Sequence, residues 1–356
     1  MILKSYFFRL FLWTALLLAL FVYVLPGRIH SSDVAQIKNQ ASKDETTPTP
    51  SHLSQGKLLK GFCKNCQDLS FTPEGLLGLD FKGNLIRYSF SLSKIDTLAT
   101  LEQDNTGFDL SENKLYITNQ NRGILDFSLE QLDYRVLVSG VNKKPLGHLG
   151  GLIKTQESLC FTESDHSRSH DFWVDSFVEK SSKGKVLSFN LQKESLDTLT
   201  TGLIFPRGLC QKANEKNKLL VCLPRENKIA QITLDGPEKG KIEDFAQTPE
   251  SLPFTITYDA YREVYWAVSP YKPSRLLSLS DKFVWLKNLL GRFPASVLKK
   301  QLLPNNQILK ISKEGKILEI LTEKSARSIS CIAVSNESLY LGFENPKGVL
   351  EIPLDK

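Results

Sequence analysis

Asp165, His166, His170, Asp171 and Asp175 crowd into the stretch SDHSRSHDFWVD, bringing imidazoles and carboxylates close together along the chain. Nitrogen and oxygen donors at such spacing could hold zinc. The stretch carries neither a C-x-x-C nor an H-E-x-x-H frame, so a solvated polar loop is the plainer reading. His148, in GHLGG, has a side chain whose ordinary pKa suits proton transfer near neutrality. It is a candidate general base, or a loop histidine with no chemical task. Cys331, in ISCIAV, is a candidate nucleophile if something stabilises its thiolate, and otherwise a strand cysteine packed as a small hydrophobe. Cys160 and Cys222 sit in similar apolar segments and read as core. Cys63 and Cys66 form a C-x-x-C that is either a local disulfide or two free thiols; no βαβ pattern around it supports redox catalysis.

The elements that must position these residues repeat. A short alternating strand recurs as GLLGLD from Gly75, LYITNQ from Leu115, LCFTES from Leu159, LLVCLP from Leu219, VYWAVS from Val264 and LYLGFE from Leu339. Each is followed by a second strand (NLIRYSF, GILDFSL, KVLSFNL, KIAQITL, QILKISK, GVLEIPL), and several by a third apolar run such as DTLATL or KILEILT. Turns rich in Gly, Asn or Lys separate them, which indicates an all-β array. No unit could bury both its faces alone, so neighbours must stack, and six copies predict a closed six-bladed β-propeller. A β-sandwich gives no reason for six copies of one motif.

Two units are stretched by insertions, at about 164–184 and 270–306. In the second, Phe283, Leu286, Leu289 and Leu290 recur at helical spacing with Lys282, Lys287 and Arg292 between them. Such a segment is a helix packed on its own blade, a lid over the pocket, or a basic amphipathic contact with a membrane.

The propeller occupies residues 56–356. Ahead of it, LFLWTALLLALFVYVL runs from Leu10 to Leu25 with no charge between Arg9 and Arg28, long enough to cross a hydrocarbon core of ~30 Å. Residues 1–27 are expected to be a single membrane-spanning anchor. Lys4 and Arg9 place its N-terminus in the cytoplasm and the propeller outside it, in the periplasm, a lumen or the cell exterior. A cleaved signal peptide is the alternative. Residues 28–55, with TTPTPS at their centre, lack apolar periodicity and read as a flexible polar stalk.

The composition agrees. Of 356 residues, 41% are hydrophobic and 24% charged, which excludes collagen-like, disordered and polytopic membrane classes. A net charge of +6 spread over this length is no basic stripe, so a nucleic-acid partner has no support.

The stretches LCFTESDHSRSHDFW, GKVLSFNLQKESLDTLTTGLIFPRGL, LLVCLPRENKIAQITLDGPEKGKIEDFA, RLLSLSDKFVWLKNLLGRFPASVLKK and SISCIAVSNESLYLG resemble the strictosidine synthase-like and adipocyte plasma membrane-associated protein group. These share a propeller superfamily with gluconolactonases and paraoxonases. The resemblance runs from about Gly61 to the C-terminus. Metal-dependent members of that superfamily hold a divalent cation in the central tunnel on carboxylate and Asn oxygens. The corresponding positions here fall on Gln67 (with Asp68 the alternative register), Gly150, Arg207 and the pair Phe254–Thr255. No carboxylate stands at those positions and one carries a cation, so the resemblance implies that the calcium site is lost and no cofactor is held. The acid–base Glu of the metal-free synthase falls on Cys331.

The resemblance also puts His148 near the tunnel mouth. Arg207, lying in the tunnel, should meet either a protein carboxylate or an anionic ligand, because an unpaired buried guanidinium is costly. Two functions are left open. One is a protein that binds a small molecule or a partner through its tunnel and insertions. The other is a metal-independent or atypical esterase or lactonase-type hydrolase.

Overall fold

Each of the six alternating segments becomes the second strand of an antiparallel sheet: Gly75–Asp80, Lys114–Asn119, Ser158–Asp165, Lys218–Leu223, Val264–Pro273 and Ser338–Phe343. These strands are apolar on both faces because each sheet packs between two neighbours. Gly75–Asp80, for instance, is buried along its whole length. The computed structural model describes residues 12–14, 51–53, 56–141, 144–168, 170–248, 251–324, 327–344 and 348–354. Its sheets are the blades of a six-bladed propeller, numbered I to VI here from Cys66 onward.

Within a blade the strands run in chain order from the tunnel outward. The innermost are Cys66–Thr72, Asn105–Ser111, His148–Lys154, Leu209–Gln211, Thr255–Asp259 and Ile329–Val334. Apolar side chains fill the seams between blades. Leu79, Leu85, Ile117 and Phe127 pack between blades I and II, and Trp266, Ile308, Leu341 and Phe343 between V and VI. Blade VI takes its outer strand from the other end of the chain: Lys57–Lys60 pairs antiparallel with Gly348–Pro353 and closes the ring.

Ser51–His52 adds a short parallel strand to the outer edge of blade V, opposite Leu321 and Thr322. Sheet pairing therefore begins ahead of residue 56, inside the stretch expected as stalk. Residues 28–50 and 54–55 of that stretch and the apolar run at 10–25, apart from residues 12–14, lie outside the described residues. Among the described residues no helix is long and apolar enough to cross a membrane.

Both insertions connect second to third strands, so they emerge at the tunnel mouth where the innermost strands begin. The blade III insertion carries α1 (Trp173–Glu179). That of blade V carries α2 (Arg275–Ser280), α3 (Val284–Leu290) and α4 (Ala295–Lys299). Val174, Phe177 and Val178 of α1 pack with Leu277, Leu290 and Leu298 of the other three, making one cap from two blades. The expected helical face is partly inverted: Phe283 is half exposed, whereas Lys287 is buried.

Candidate functional site

The innermost strands line a central cavity of about 680 Å³, within the range of small-molecule sites. Glycines let the strands approach. A Cβ on Gly150 would stand 2.3 Å from Thr162 Oγ1, and one on Gly208 would stand 2.7 Å from the Thr255 Cα. Gln67, Gly150, Arg207, Phe254, Thr255, His148 and Cys331 all line this cavity, so these seven candidates converge on one place, whereas Asp165, His166, Asp171 and Asp175 are not among its lining residues.

Arg207 is held there by its backbone. Its N–H donates to the Cys222 carbonyl at 3.0 Å, and its own carbonyl accepts from Thr162 Oγ1 at 2.9 Å and from the Gly151 N–H at 3.3 Å. Just before it, Phe205 takes a left-handed φ of 53°, which is strained for a bulky residue. Packing holds that turn, with the Phe205 ring 5.1 Å from Phe177 and 6.4 Å from both Trp173 and Phe254. The guanidinium projects between aromatic faces, 5.8 Å from the ring centres of Phe205 and Phe254.

Its Nη1 donates to His148 Nε2 at 2.8 Å and more weakly to the Leu149 carbonyl at 3.5 Å. A guanidinium cannot accept, so Nε2 must be the acceptor and the imidazole is neutral with its proton on Nδ1. The His148 lone pair that a general base would use is thus engaged by Arg207. Among the described residues no carboxylate forms an ion pair with Arg207. Burial brings its pKa down to about 10, and Tyr271 and Glu344 only partly offset that. Tyr271 donates its hydroxyl to Glu344 at 2.8 Å across blades V and VI. With Trp173 and Lys299 of the cap, this pair borders the cavity on the side where the insertions stand.

Asp68 also lines the cavity. One carboxylate oxygen accepts from the Leu69 N–H at 2.9 Å and the other from the Phe108 N–H at 2.8 Å. Burial nonetheless raises its pKa to about 7, and Asp109 adds to the rise. The folded state therefore holds this proton more tightly than the unfolded chain, and the Asp68 contribution to stability is lost as pH climbs from about 4 to about 7. Denaturation curves across that range should show wild type losing stability relative to Asp68→Asn, by at most ~1.4 kcal/mol per pH unit. Parallel profiles would refute the shift.

Cys331 is buried and its thiol is pushed well up, by desolvation and by Asp68 beside it. The charged neighbour of this sulfur is a carboxylate, which opposes the thiolate that nucleophilic attack requires. Cys63 and Cys66 form a disulfide between the ring-closing strand and blade I.

Asp165 and His166 of the Asp/His-rich stretch are tied into local hydrogen bonds. Asp165 accepts from the N–H and hydroxyl of Ser167 and from the Ser176 hydroxyl, which ties down the start of the insertion. His166 points its Nδ1 at the Lys183 carbonyl. No group of three His, Cys, Asp or Glu side chains able to hold a metal occurs among the described residues. At the tunnel positions the donors are an amide, a glycine, a guanidinium, a phenyl ring and a hydroxyl, and both Asp68 oxygens already accept backbone hydrogens. That set does not fit a hard divalent cation, which wants several free carboxylate oxygens.

Beneath the cap lies a cluster of charges that the sequence did not announce. Asp281 meets Arg225 Nη2 at 2.8 Å, Lys180 Nζ at 2.8 Å and Lys287 Nζ at 3.9 Å. Arg225 also lies 4.7 Å from the Phe177 ring centre, and Glu179 pairs with Arg168. Burial lowers the pKa of all three cations around Asp281, that of Lys180 to about 8.

The fold and cavity define a six-bladed propeller with a capped, ligand-sized central chamber. In sequence the chain is similar to strictosidine synthase-like protein 10 of Arabidopsis thaliana, with 24% identity over 66% of this chain and 65% of the relative. It is also similar to adipocyte plasma membrane-associated protein of Danio rerio, with 21% identity over 65% of this chain and 59% of the relative. The resemblance read from the motifs is thereby confirmed, though the chain spans less than two thirds of these relatives' own length. In fold it is similar to a gluconolactonase from Xanthomonas campestris, with a TM-score of 0.60 and 14% identity over 88% of this chain and 96% of that one. No family profile matches.

Proposed function

We propose that this protein is a membrane-tethered propeller that binds a small anionic molecule in its central cavity, with Arg207 as the anchoring cation. The observation that carries this reading is the half-buried guanidinium facing the cavity between two aromatic rings, with a neutral imidazole and a carbonyl as its hydrogen-bond acceptors. A carboxylate or phosphate would supply the charge that the protein does not. Phe254 and Trp173, which line the cavity, favour a ligand whose remainder is apolar or aromatic. The apolar run at 10–25 would hold the propeller on the extracytoplasmic side, where the Cys63–Cys66 disulfide is at home.

Calorimetric titration with a panel of aryl and alkyl carboxylates, in EDTA and in excess calcium, tests the proposal. Saturable binding that ignores calcium is expected. A bound carboxylate at a hundred times its Kd should add about 2.7 kcal/mol to stability, and calcium alone should leave the melting temperature unchanged. Stabilisation by calcium without carboxylate binding would overturn it.

Ester or lactone hydrolysis is the second reading. It is favoured by Asp68, a cavity carboxyl poised near neutrality where a general acid or base works best. Turnover of an aryl ester that Asp68→Asn removes would support it.

A further inference from the structure

The cap turns apolar side chains outward. Leu276 and Leu279 on α2, Phe283 at the junction, Val284 and Trp285 on α3 and Val297 on α4 are all more than a third exposed, Trp285 at 63%. Leu276, Leu279 and Phe283 follow one another at helical spacing, and the Phe283 N–H reaches the Leu279 carbonyl at 3.1 Å, so the surface is continuous.

Exposed charge on the blade V part of the cap has one sign. Lys272, Arg275, Lys282, Lys299 and Lys300 are exposed, while Asp281, the one acid between residues 270 and 303, is engaged by Arg225 and Lys180. Lys287 is turned inward while Trp285 is turned out, the reverse of what contact with water alone would select. An apolar surface with a protruding tryptophan and a basic border matches the headgroup region of an anionic bilayer. The path of the chain points the same way. Ser51–His52, the first described strand, joins blade V, which carries α2–α4, at the end of its outer strand nearer the cap.

We propose that the cap docks on an anionic lipid surface, with Phe283, Val284 and Trp285 at headgroup depth. Trp173, Tyr271 and Lys299 border the cavity under the same cap, so its mouth then opens toward the bilayer.

The test uses the full-length chain reconstituted in vesicles, with an environment-sensitive dye attached at Trp285→Cys. A control carries the dye at Leu92→Cys, an exposed site in the turn between the two outer strands of blade I, at the opposite end of the propeller. On phosphatidylserine-containing vesicles the dye at 285 should shift to the blue and be quenched by spin-labelled lipid. On phosphatidylcholine alone the shift should shrink, and the dye at 92 should report water in both. The triple charge reversal Arg275→Glu, Lys282→Glu, Lys300→Glu should return position 285 to a water-like spectrum with the melting temperature unchanged. A water-like signal at 285 on anionic vesicles would overturn the proposal. So would a blue shift that lipid quenchers and lipid charge leave untouched, which would mark a protein partner or a second copy of the chain.

Discussion

Arg207→Glu is expected to abolish carboxylate binding while leaving the propeller folded. Removing a charge-assisted hydrogen bond to a ligand costs roughly 1.5–3 kcal/mol, which is about 10- to 150-fold in affinity, and is the loss expected for Arg207→Ala. Reversal adds repulsion between the new carboxylate and the ligand, so binding should fall below detection. Arg207→Lys keeps the charge but loses the planar fork and should recover only part of the affinity. Stability separates a ligand anchor from a structural ion pair. The half-buried guanidinium has no carboxylate partner among the described residues, so Arg207→Met should hold or raise the melting temperature. A drop of several degrees would assign the residue to structure.

Asp281→Ala should have the largest effect on stability, a loss of about 3–5 kcal/mol, because it leaves three cations together under the cap. The carboxylate links elements from three blades: Lys180 follows α1, Arg225 lies in the Pro224–Glu226 turn of blade IV, and Lys287 belongs to α3. Amide exchange should therefore accelerate in α1 to α4 before it does in the blades. The Lys180 pKa lies below its unfolded value, so the native state releases that proton first and stability should rise with pH from about 8 towards 10.5. The rise should steepen in Asp281→Ala and flatten in Lys180→Met. Uniform exchange throughout the molecule would show that the cap has no stability of its own.

These two sites differ in how far the sequence revealed them. The second and third strands of the blades were legible because they are packed between neighbours and carry sustained apolar runs, and several of the half-exposed outer strands were legible from the apolar run that follows. The innermost strands were not. NTGFDLS and HLGGLIK face a polar chamber and need glycine where strands close in, so they lack the alternation that marks a strand. Arg207 could be singled out through the FPRG resemblance. Its setting could not, because His148, Phe254, Tyr271 and Glu344 come from different blades. Asp68 was visible only as an alternative register for Gln67, since its raised pKa arises from burial and from Asp109 on the next blade. Helical spacing grouped Phe283 with Leu286, Leu289 and Leu290 on one apolar face, with Lys287 set between them. The partners of Lys287 are the Glu179 carbonyl on the other insertion and Asp281 on its own, and they pull that residue inward instead.

The pairing of Lys57–Lys60 with Gly348–Pro353 also governs how the chain can mature during synthesis. The latch leaves the ribosome before any of blades I to V, and its partner only after all of them. Until then blade VI has no outer strand and the ring stands open, with the apolar flanks of blades I and VI exposed to water. Blades I to V can assemble in order as they emerge, each on the one before. The final step is a contact between segments that all the other blades separate in sequence, the kind that forms slowly. A nascent chain stalled a few residues short of Gly348 would hold almost every residue of the propeller and still lack a closed cavity.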